Sequence, residues 1–210
     1  MSRGKVYGFI GPVQGGKSYQ LNELRKSAIE QNVKFINADF SDGIRQTALN
    51  IFGTTDCDMN VLSSVYANWK NDYQKISIPV GSSLVTSPIR GRDILKNIGE
   101  GLKKLAGDDV WARWTGNDIY RKYWSIDNEE ERLKSVIAFG SVRFQEEVEM
   151  VFTIAKLLNK EVELKFCNYK NEKYDANVHI SERLAHGLII RNFKDGDDVT
   201  LAVKEMFKIK

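Results

Sequence analysis

The segment GPVQGGKS at residues 11–18 constrains this chain more than any other feature of its sequence. It matches the pattern G-x-x-x-x-G-K-[ST] at every fixed position. A β-prone run over residues 5–10 precedes the segment, and a helix with one apolar face is predicted over residues 19–30. A glycine loop between a strand and a helix lets successive backbone N–H groups surround a phosphate at the helix N-terminus. We therefore expect a nucleoside triphosphate site here.

The residues expected to bind the nucleotide are Gly11, Gln14, Gly15, Gly16, Lys17 and Ser18. Lys17 adds a full positive charge near the β- and γ-phosphates of ATP, and the Ser18 hydroxyl can coordinate Mg²⁺. The alternative is a glycine-rich turn in which Lys17 is merely solvated. The position of the match, between a predicted strand and a predicted helix, disfavours that alternative.

The rest of the chain alternates between strand-like and helix-like segments. Further strands are predicted at residues 33–38, 135–139, 162–166 and 188–190, and further helices at residues 42–52, 144–158 and after 195–196. Such alternation implies βαβ crossovers, and hence an α/β fold with a mostly parallel sheet of about five strands and helices on both faces. Residues from about 54 to 132 read as a mostly helical insertion, with an extended interruption near residues 76–87.

Composition narrows the class of protein. A chain of 210 residues with 42% hydrophobic residues predicts a single domain over residues 1–210. The 31 basic side chains nearly balance the 28 acidic ones, which argues against a protein that coats nucleic acid. Cys57 and Cys167 are too few for a disulfide framework or a zinc cluster. With no apolar stretch of membrane-spanning length and no signal peptide, we expect a cytoplasmic protein that contacts no membrane. The oligomeric state stays open, a homodimer included.

Other classes of phosphate-loop protein fit this sequence less well than a small kinase. The guanine-reading Asn-Lys-x-Asp segment of small GTPases does not occur. None of the predicted strands is the long apolar strand ending in acidic residues that motor ATPases carry. Small kinases place an acceptor-binding helix after the second strand and a helical lid with arginines before the later strands. The helix at residues 42–52 and the helical stretch at residues 92–132 lie in those places.

Several further segments carry a resemblance to one kinase family. They are FINADF at residues 35–40, IRQTALNIFG at 44–53, GRDILKNIG at 91–99 with DVW at 109–111, VRFQEE at 142–147 and HISE at 179–182. Together with the loop, their order and spacing resemble the deoxynucleoside monophosphate kinases of large bacteriophages. The resemblance covers most of the chain in patches. It implies a P-loop kinase fold and transfer of the ATP γ-phosphoryl group, with Mg²⁺, to a deoxynucleoside monophosphate in the host cytoplasm.

Four charged residues are candidates for the acceptor side of such a site. Asp39 follows a predicted strand, so its carboxylate can orient or deprotonate the acceptor phosphate, or hold a metal-bound water. Its alternative role is a loop or capping aspartate. Arg45, Arg92 and Arg143 can bind phosphate oxygens in a bidentate manner. For Arg45 and Arg92 a solvated helix face is the alternative, whereas Arg143 lies in a strand-to-helix turn that favours the site.

Aromatic and histidine residues give weaker signals. Trp111, with Trp114 and Tyr120, is a candidate for stacking on a base, and packing in the core of the lid is the alternative. His179 and Glu182 lie one helical turn apart, where a local hydrogen-bonded cap is the alternative to a functional pair. The Lys103-Lys104 pair is read as a solvated face.

The chain departs from the family pattern at Ser141. Where the family reads DVRF, this chain reads SVRF, so the acidic residue expected after the third strand of the sheet is absent. A hydroxyl brings no charge to a Mg²⁺ ion. Asp39, or less favourably Glu147, is the expected replacement. There are two rival interpretations. The first is a thymidine-kinase-like nucleoside kinase, although two isolated cysteines cannot form the structural zinc site of that family. The second is a nucleotide-binding regulator with little turnover.

Overall fold

The computed structural model describes residues 3–51, 73–80 and 83–209. The chain forms two compact units. Residues Met1–Phe40 and Ala112–Lys210 make up the first, and Ser41–Trp111 make up the second.

The helices and strands are numbered here in chain order. They are β1 Val6–Ile10, α1 Lys17–Glu30, β2 Phe35–Ala38, α2 Asp42–Ile51, β3 Tyr73–Val80, β4 Ser83–Arg90, α3 Gly91–Ala106, α4 Val110–Trp124, α5 Glu129–Lys134, β5 Val136–Phe139, α6 Gln145–Leu157, β6 Val162–Phe166, α7 Arg183–Ile190 and α8 Thr200–Met206. A short 3₁₀ turn, Ile180–Glu182, precedes α7.

The first unit is built on a parallel sheet with strand order β2-β5-β1-β6. This confirms the predicted α/β fold, although the sheet has four strands where about five were expected. The predicted strand at residues 188–190 is wrong, because these residues form the end of helix α7. Leu184, Ala185 and Leu188 recur at helical spacing and are all buried. The apolar run at residues 188–190 was therefore predicted as a strand, although it is the last part of a helix whose buried face includes Leu188.

The chain after α7 returns to the sheet in another way. The segment at residues 196–199 runs antiparallel beside β6, where Phe166 N–H donates to the Asp197 carbonyl at 3.0 Å and Val199 N–H donates to the Leu164 carbonyl at 2.8 Å. Gly196 N–H donates to the Phe166 carbonyl at 2.8 Å. Thr200 Oγ1 accepts from the Leu164 N–H at 2.7 Å. This short pairing occupies the place of the expected fifth strand.

The central strand β1 buries both of its faces, as a strand covered by helices must. Val6 and Ile10 belong to the main core, together with Val148 and Val151 of helix α6. Phe9 points to the opposite face, where Leu21 and Leu24 of α1 pack. The sheet thus lies between α6 and α1 and holds the carboxyl end of β1, from which the phosphate loop leaves, in a fixed position.

The second unit pairs a β-hairpin with helices. Strands β3 and β4 are antiparallel and in register from Tyr73 opposite Arg90 to Val80 opposite Ser83. They coincide with the extended interruption predicted near residues 76–87. Helix α2 packs on α3, where a Cβ on Gly99 would lie 3.2 Å from Ile44 Cδ1.

Candidate functional site

The loop at residues 11–18 connects β1 to α1, as its sequence predicts. Gln14 and Gly16 adopt positive φ angles of 60° and 98°. Gly15 N–H donates to the Pro12 carbonyl at 3.0 Å and closes a turn inside the loop. Left-handed residues in a glycine loop before a helix are typical of the backbone concavities that bind anions. The N-terminus of α1, a helix of 14 residues, follows directly.

Lys17 folds back across this loop. Its Nζ donates to the Gly11 carbonyl at 2.7 Å and to the Pro12 carbonyl at 2.6 Å. Burial lowers the pKa of Lys17, and the nearby Arg143 guanidinium lowers it further. A partly desolvated ammonium therefore lies near a second cation. Such an arrangement is costly for the protein alone, and a polyanion bound between the two side chains would relieve it.

A pocket of about 780 Å³ opens above the loop. Its lining includes Gln14, Gly15, Gly16, Lys17, Ser18 and Arg143. Among the predicted residues, the pocket thus brings together the phosphate loop and the arginine that follows β5. Arg143 Nε donates to Ser141 Oγ at 2.8 Å, so the serine hydroxyl contacts the guanidinium through one neutral hydrogen bond.

The segment after β6 forms the other side of the pocket. Tyr169, Lys170 and Asp195 line it. Tyr169 N–H donates to the Gly15 carbonyl at 3.3 Å, and Lys170 Nζ donates to Gln14 Oε1 at 2.6 Å. No motif of the sequence indicated these residues. The signal was present, because Tyr169 and Lys170 follow a parallel strand at its carboxyl end, the same reasoning that selected Asp39.

Asp39 lies at the carboxyl end of β2 and is partly buried. It is not among the residues that line the pocket, since β5 separates β2 from β1. Its charge is felt by Glu147, whose pKa is raised to about 7 mainly by burial and in small part by Asp39. Glu147 Oε2 accepts from the Arg143 and Phe144 N–H groups at 2.7 and 3.3 Å, which caps the start of α6. Part of the Glu147 population is therefore neutral at pH 7, and it is a poor source of charge for a metal.

The remaining predicted residues lie in the second unit. Arg45 pairs with Asp42 at 2.8 Å, one turn earlier in α2. Trp111 is buried, and its Nε1 donates to the Gly99 carbonyl at 3.1 Å, so the indole packs within the helices of this unit. The side chain of Arg92 lies outside the described residues, as does Cys57. The substrate-binding roles expected of Arg45, Arg92 and Trp111 remain predictions.

His179 forms a local hydrogen-bonded cap, one of the two roles that its spacing from Glu182 allows. Its Nδ1 accepts from the Ser181 N–H at 3.3 Å and lies 2.9 Å from Ser181 Oγ. Glu182, its predicted companion, turns instead toward the phosphate loop. One of its carboxylate oxygens, Oε2, accepts from the Val13 N–H at 3.5 Å.

The donor set around the loop suits Mg²⁺ carried in with a nucleotide. Within the described ranges, no group of three or more histidine, cysteine, aspartate or glutamate side chains could hold a metal by itself. Mg²⁺ commonly keeps several waters and binds through substrate phosphates with only one or two protein oxygens. Ser18, at the start of α1 and on the wall of the pocket, offers one such oxygen.

Comparison with known proteins adds little to this geometry. No protein-family model matches the chain, and a search of curated proteins found no match. A solved structure of an APS kinase from Mycobacterium tuberculosis, in a mutant form, is similar at 11% sequence identity with a TM-score of 0.39; the match covers 91% of this chain and all of that one. So weak a likeness carries nothing about substrate. Among the described helices, none has the length and apolar character needed to cross a bilayer.

The glycine at the start of the loop gives a stability prediction. A Cβ on Gly11 would lie 2.1 Å from the Cys167 carbonyl oxygen, which is fixed in the strand β6 region because Cys167 N–H donates to the Ile10 carbonyl at 2.7 Å. We expect Gly11→Ala to lower the free energy of unfolding by about 3 kcal/mol, since backbone must move to admit the methyl group. Urea unfolding measures this loss.

Gly101→Ala is the matched control for that substitution. Gly101 lies inside helix α3, and its added Cβ would meet no atom within 4 Å. Alanine there is expected to leave stability unchanged or raise it by up to about 1 kcal/mol. Equal stability of Gly11→Ala and the parent would show that the loop does not pack on Cys167 as described.

Glu147 gives a pH-dependence prediction. Its pKa rises from an ordinary value of 4.5 to about 7 on folding, so the folded state binds the proton more tightly than the unfolded state. The contribution of Glu147 to stability is therefore fully present below pH 4.5 and is lost as the pH rises through about 7, a loss of up to about 3 kcal/mol. Glu147→Gln should remove that fall, because the amide oxygen still accepts the two N–H groups but does not titrate. Glu149→Gln, on the same helix but exposed, should keep the parent's pH profile, and identical profiles for all three proteins would contradict the assignment.

Proposed function

We propose that this protein is an ATP-dependent P-loop phosphotransferase, and more specifically a deoxynucleoside monophosphate kinase that forms ADP and a deoxynucleoside diphosphate. The observation that carries the proposal is that Lys17 and Arg143 line one pocket, together with the glycine loop at the start of α1. Phosphoryl transfer needs this kind of positioning and charge stabilisation more than it needs covalent chemistry from the protein.

The donor side of the reaction follows from the loop. Backbone N–H groups of the loop would hold the α- and β-phosphates of ATP, and Lys17 would leave the Gly11 and Pro12 carbonyls to reach the transferring group. Mg²⁺ bound with ATP would offset phosphate charge, with Ser18 as its protein ligand.

The acceptor side is supported by Arg143. Its guanidinium is exposed beside the pocket, and its Nε donates to Ser141 Oγ at 2.8 Å. A planar guanidinium of this kind suits a phosphate monoester and has no partner on the bare hydroxyl of a nucleoside. Asp39, Arg45, Arg92 and Trp111 remain proposed substrate-binding residues on the ground of the sequence resemblance alone.

Substrate choice tests the proposal. The protein is incubated with ATP and Mg²⁺ and with each deoxynucleoside, or each deoxynucleoside monophosphate, in turn, and ADP is measured. We expect ADP above the acceptor-free rate with one or more monophosphates and none with nucleosides. Better turnover of nucleosides would favour the thymidine-kinase-like alternative. ATP binding without ADP from any acceptor would favour a nucleotide-binding regulator.

A further inference from the structure

A carboxylate lies against the phosphate loop, where the proposed ligand is itself an anion. Glu182 Oε2 accepts from the Val13 N–H at 3.5 Å. On the other side of the same peptide group, the Pro12 carbonyl accepts from Lys17 Nζ at 2.6 Å. The Pro12–Val13 peptide therefore lies between an ammonium and a carboxylate. The ammonium is at the negative carbonyl end of the peptide dipole, and the carboxylate is at the positive N–H end.

The position of Glu182 is fixed by its own backbone. Glu182 N–H donates to the His179 carbonyl at 2.8 Å within the 3₁₀ turn, and His179 caps that turn. The residues that follow, Leu184 and Ala185, are buried at the start of α7. The backbone of the turn thus places the Glu182 carboxylate beside the loop. This placement is more specific than a contact made by a long side chain that extends from a solvated helix face.

The contact itself is a weak one. A hydrogen bond from an N–H group to a carboxylate is typically about 2.7–2.9 Å long, so a separation of 3.5 Å forgoes much of its strength. The charge of Glu182 still acts on its surroundings, because it raises the pKa of Lys17 against the effects of burial and Arg143. A phosphate oxygen at ordinary hydrogen-bond length would compete well for this part of the loop.

The connection that carries Glu182 also touches the loop at its other end. Tyr169 N–H donates to the Gly15 carbonyl at 3.3 Å, and Lys170 Nζ donates to Gln14 Oε1 at 2.6 Å. Residues 169–182 are therefore attached to the loop at both of their ends. A ligand that binds the loop would first break the contact of Glu182, since this contact is the longest of the three.

We propose that Glu182 is a built-in competitor for the phosphate site, whose carboxylate holds the Val13 N–H until a phosphate replaces it and thereby sets how tightly the loop binds phosphoanions. The inference rests on the phosphate site of the proposed function. It assigns Glu182 a positioning role, distinct from the predicted roles of Lys17, Asp39 and Arg143. Such a carboxylate weakens binding of ATP and of ADP alike, which favours release of product.

The test measures binding of inorganic pyrophosphate, and of ATP without acceptor, by titration calorimetry. Glu182→Gln keeps an oxygen acceptor for the Val13 N–H and loses the charge, whereas Glu182→Asp keeps the charge on a shorter side chain. We expect the Gln variant to bind pyrophosphate roughly fivefold more tightly at low salt, as removal of one nearby like charge implies. The gain should shrink as ionic strength rises, because salt screens charges. The Asp variant should stay within about twofold of the parent, since it removes no charge.

The control is Glu205→Gln, an exposed carboxylate on α8 that does not line the pocket. The inference is overturned if Glu182→Gln binds pyrophosphate no more tightly than the parent, or if its gain in affinity does not change with salt. It is also overturned if Glu205→Gln shows the same gain, or if neither the parent nor the variant binds pyrophosphate. Should Glu182→Gln fail to fold by circular dichroism, Glu182→Ala takes its place with the same expected gain. The proposed kinase activity fails separately: a parent that binds pyrophosphate but forms no ADP contradicts the kinase and leaves this test valid.

Discussion

Replacing Lys17 with alanine is expected to lower turnover at least a hundredfold while the protein stays folded. The transferring phosphoryl group would lose a cation that stabilises its developing charge, a loss on the order of 3 kcal/mol or more. Among the described residues, the Lys17 ammonium donates hydrogen bonds to the Gly11 and Pro12 carbonyls, so the cost to folding is about 1 kcal/mol. ADP formation measures the first effect and thermal unfolding measures the second.

Lys26→Ala is the matched control. Lys26 lies on the same helix, is exposed, and pairs with Glu23 at 2.7 Å, an ion pair that contributes little to stability. The Lys26 variant should retain parental turnover. Full turnover by the Lys17 variant would show that the loop does not bind the reacting phosphates, and the phosphate-loop interpretation would be lost with it.

Replacing Asp39 with asparagine is expected to lower turnover about a hundredfold with little change in ATP affinity, in line with loss of a general base or of charge support for Mg²⁺. Asp39 lies at the carboxyl end of β2, next to strand β5, which precedes Arg143, and two strands from β1, which leads into the phosphate loop. That position suits the acceptor end of a reaction more than the nucleotide end. Steady-state rates and ATP affinity, measured on the same preparation, separate the two effects.

Ser141→Ala is the comparison variant, because Ser141 replaces the acid of the family pattern. It should reduce turnover far less than Asp39→Asn, since its hydroxyl contributes one neutral hydrogen bond to Arg143. An Asp39→Asn variant as active as the parent would contradict the idea that Asp39 compensates for the missing acid. Glu147 would then be a weak substitute, because its raised pKa and its two N–H contacts commit it to the cap of α6.

Local patterns predicted the elements whose two faces differ in polarity or whose ends carry clear signals. Strand β6 was predicted with the same bounds as observed, and α1 differs from its prediction only at its first turn. The phosphate loop was predicted because its glycines and Lys17 act within eight residues of one another. Helix α7 was missed in part, because its last three residues are all apolar and have no periodicity of their own.

Contacts between distant parts of the chain were beyond the reach of such patterns. Lys170 and Gln14 are separated by 156 residues, and Glu182 and Val13 by 169. In neither pair does the type of one residue, or its local sequence, indicate which distant residue it contacts. Only the strand order, which puts β6 beside β1, brings the connection after β6 against the loop after β1.

The return of residues 196–199 to strand β6 limits how copies of this protein can associate. An unpaired outer strand exposes a row of N–H and carbonyl groups on which a second chain can add, and that is a common route to aggregation. Here the outward-facing main-chain groups of Leu164 and Phe166 are already bonded by the chain's own return. A sheet continuous across two copies through this side is therefore blocked. If the protein forms a dimer, its interface must be made by side chains or at the opposite side of the sheet, and deletion of residues 196–199 should increase self-association.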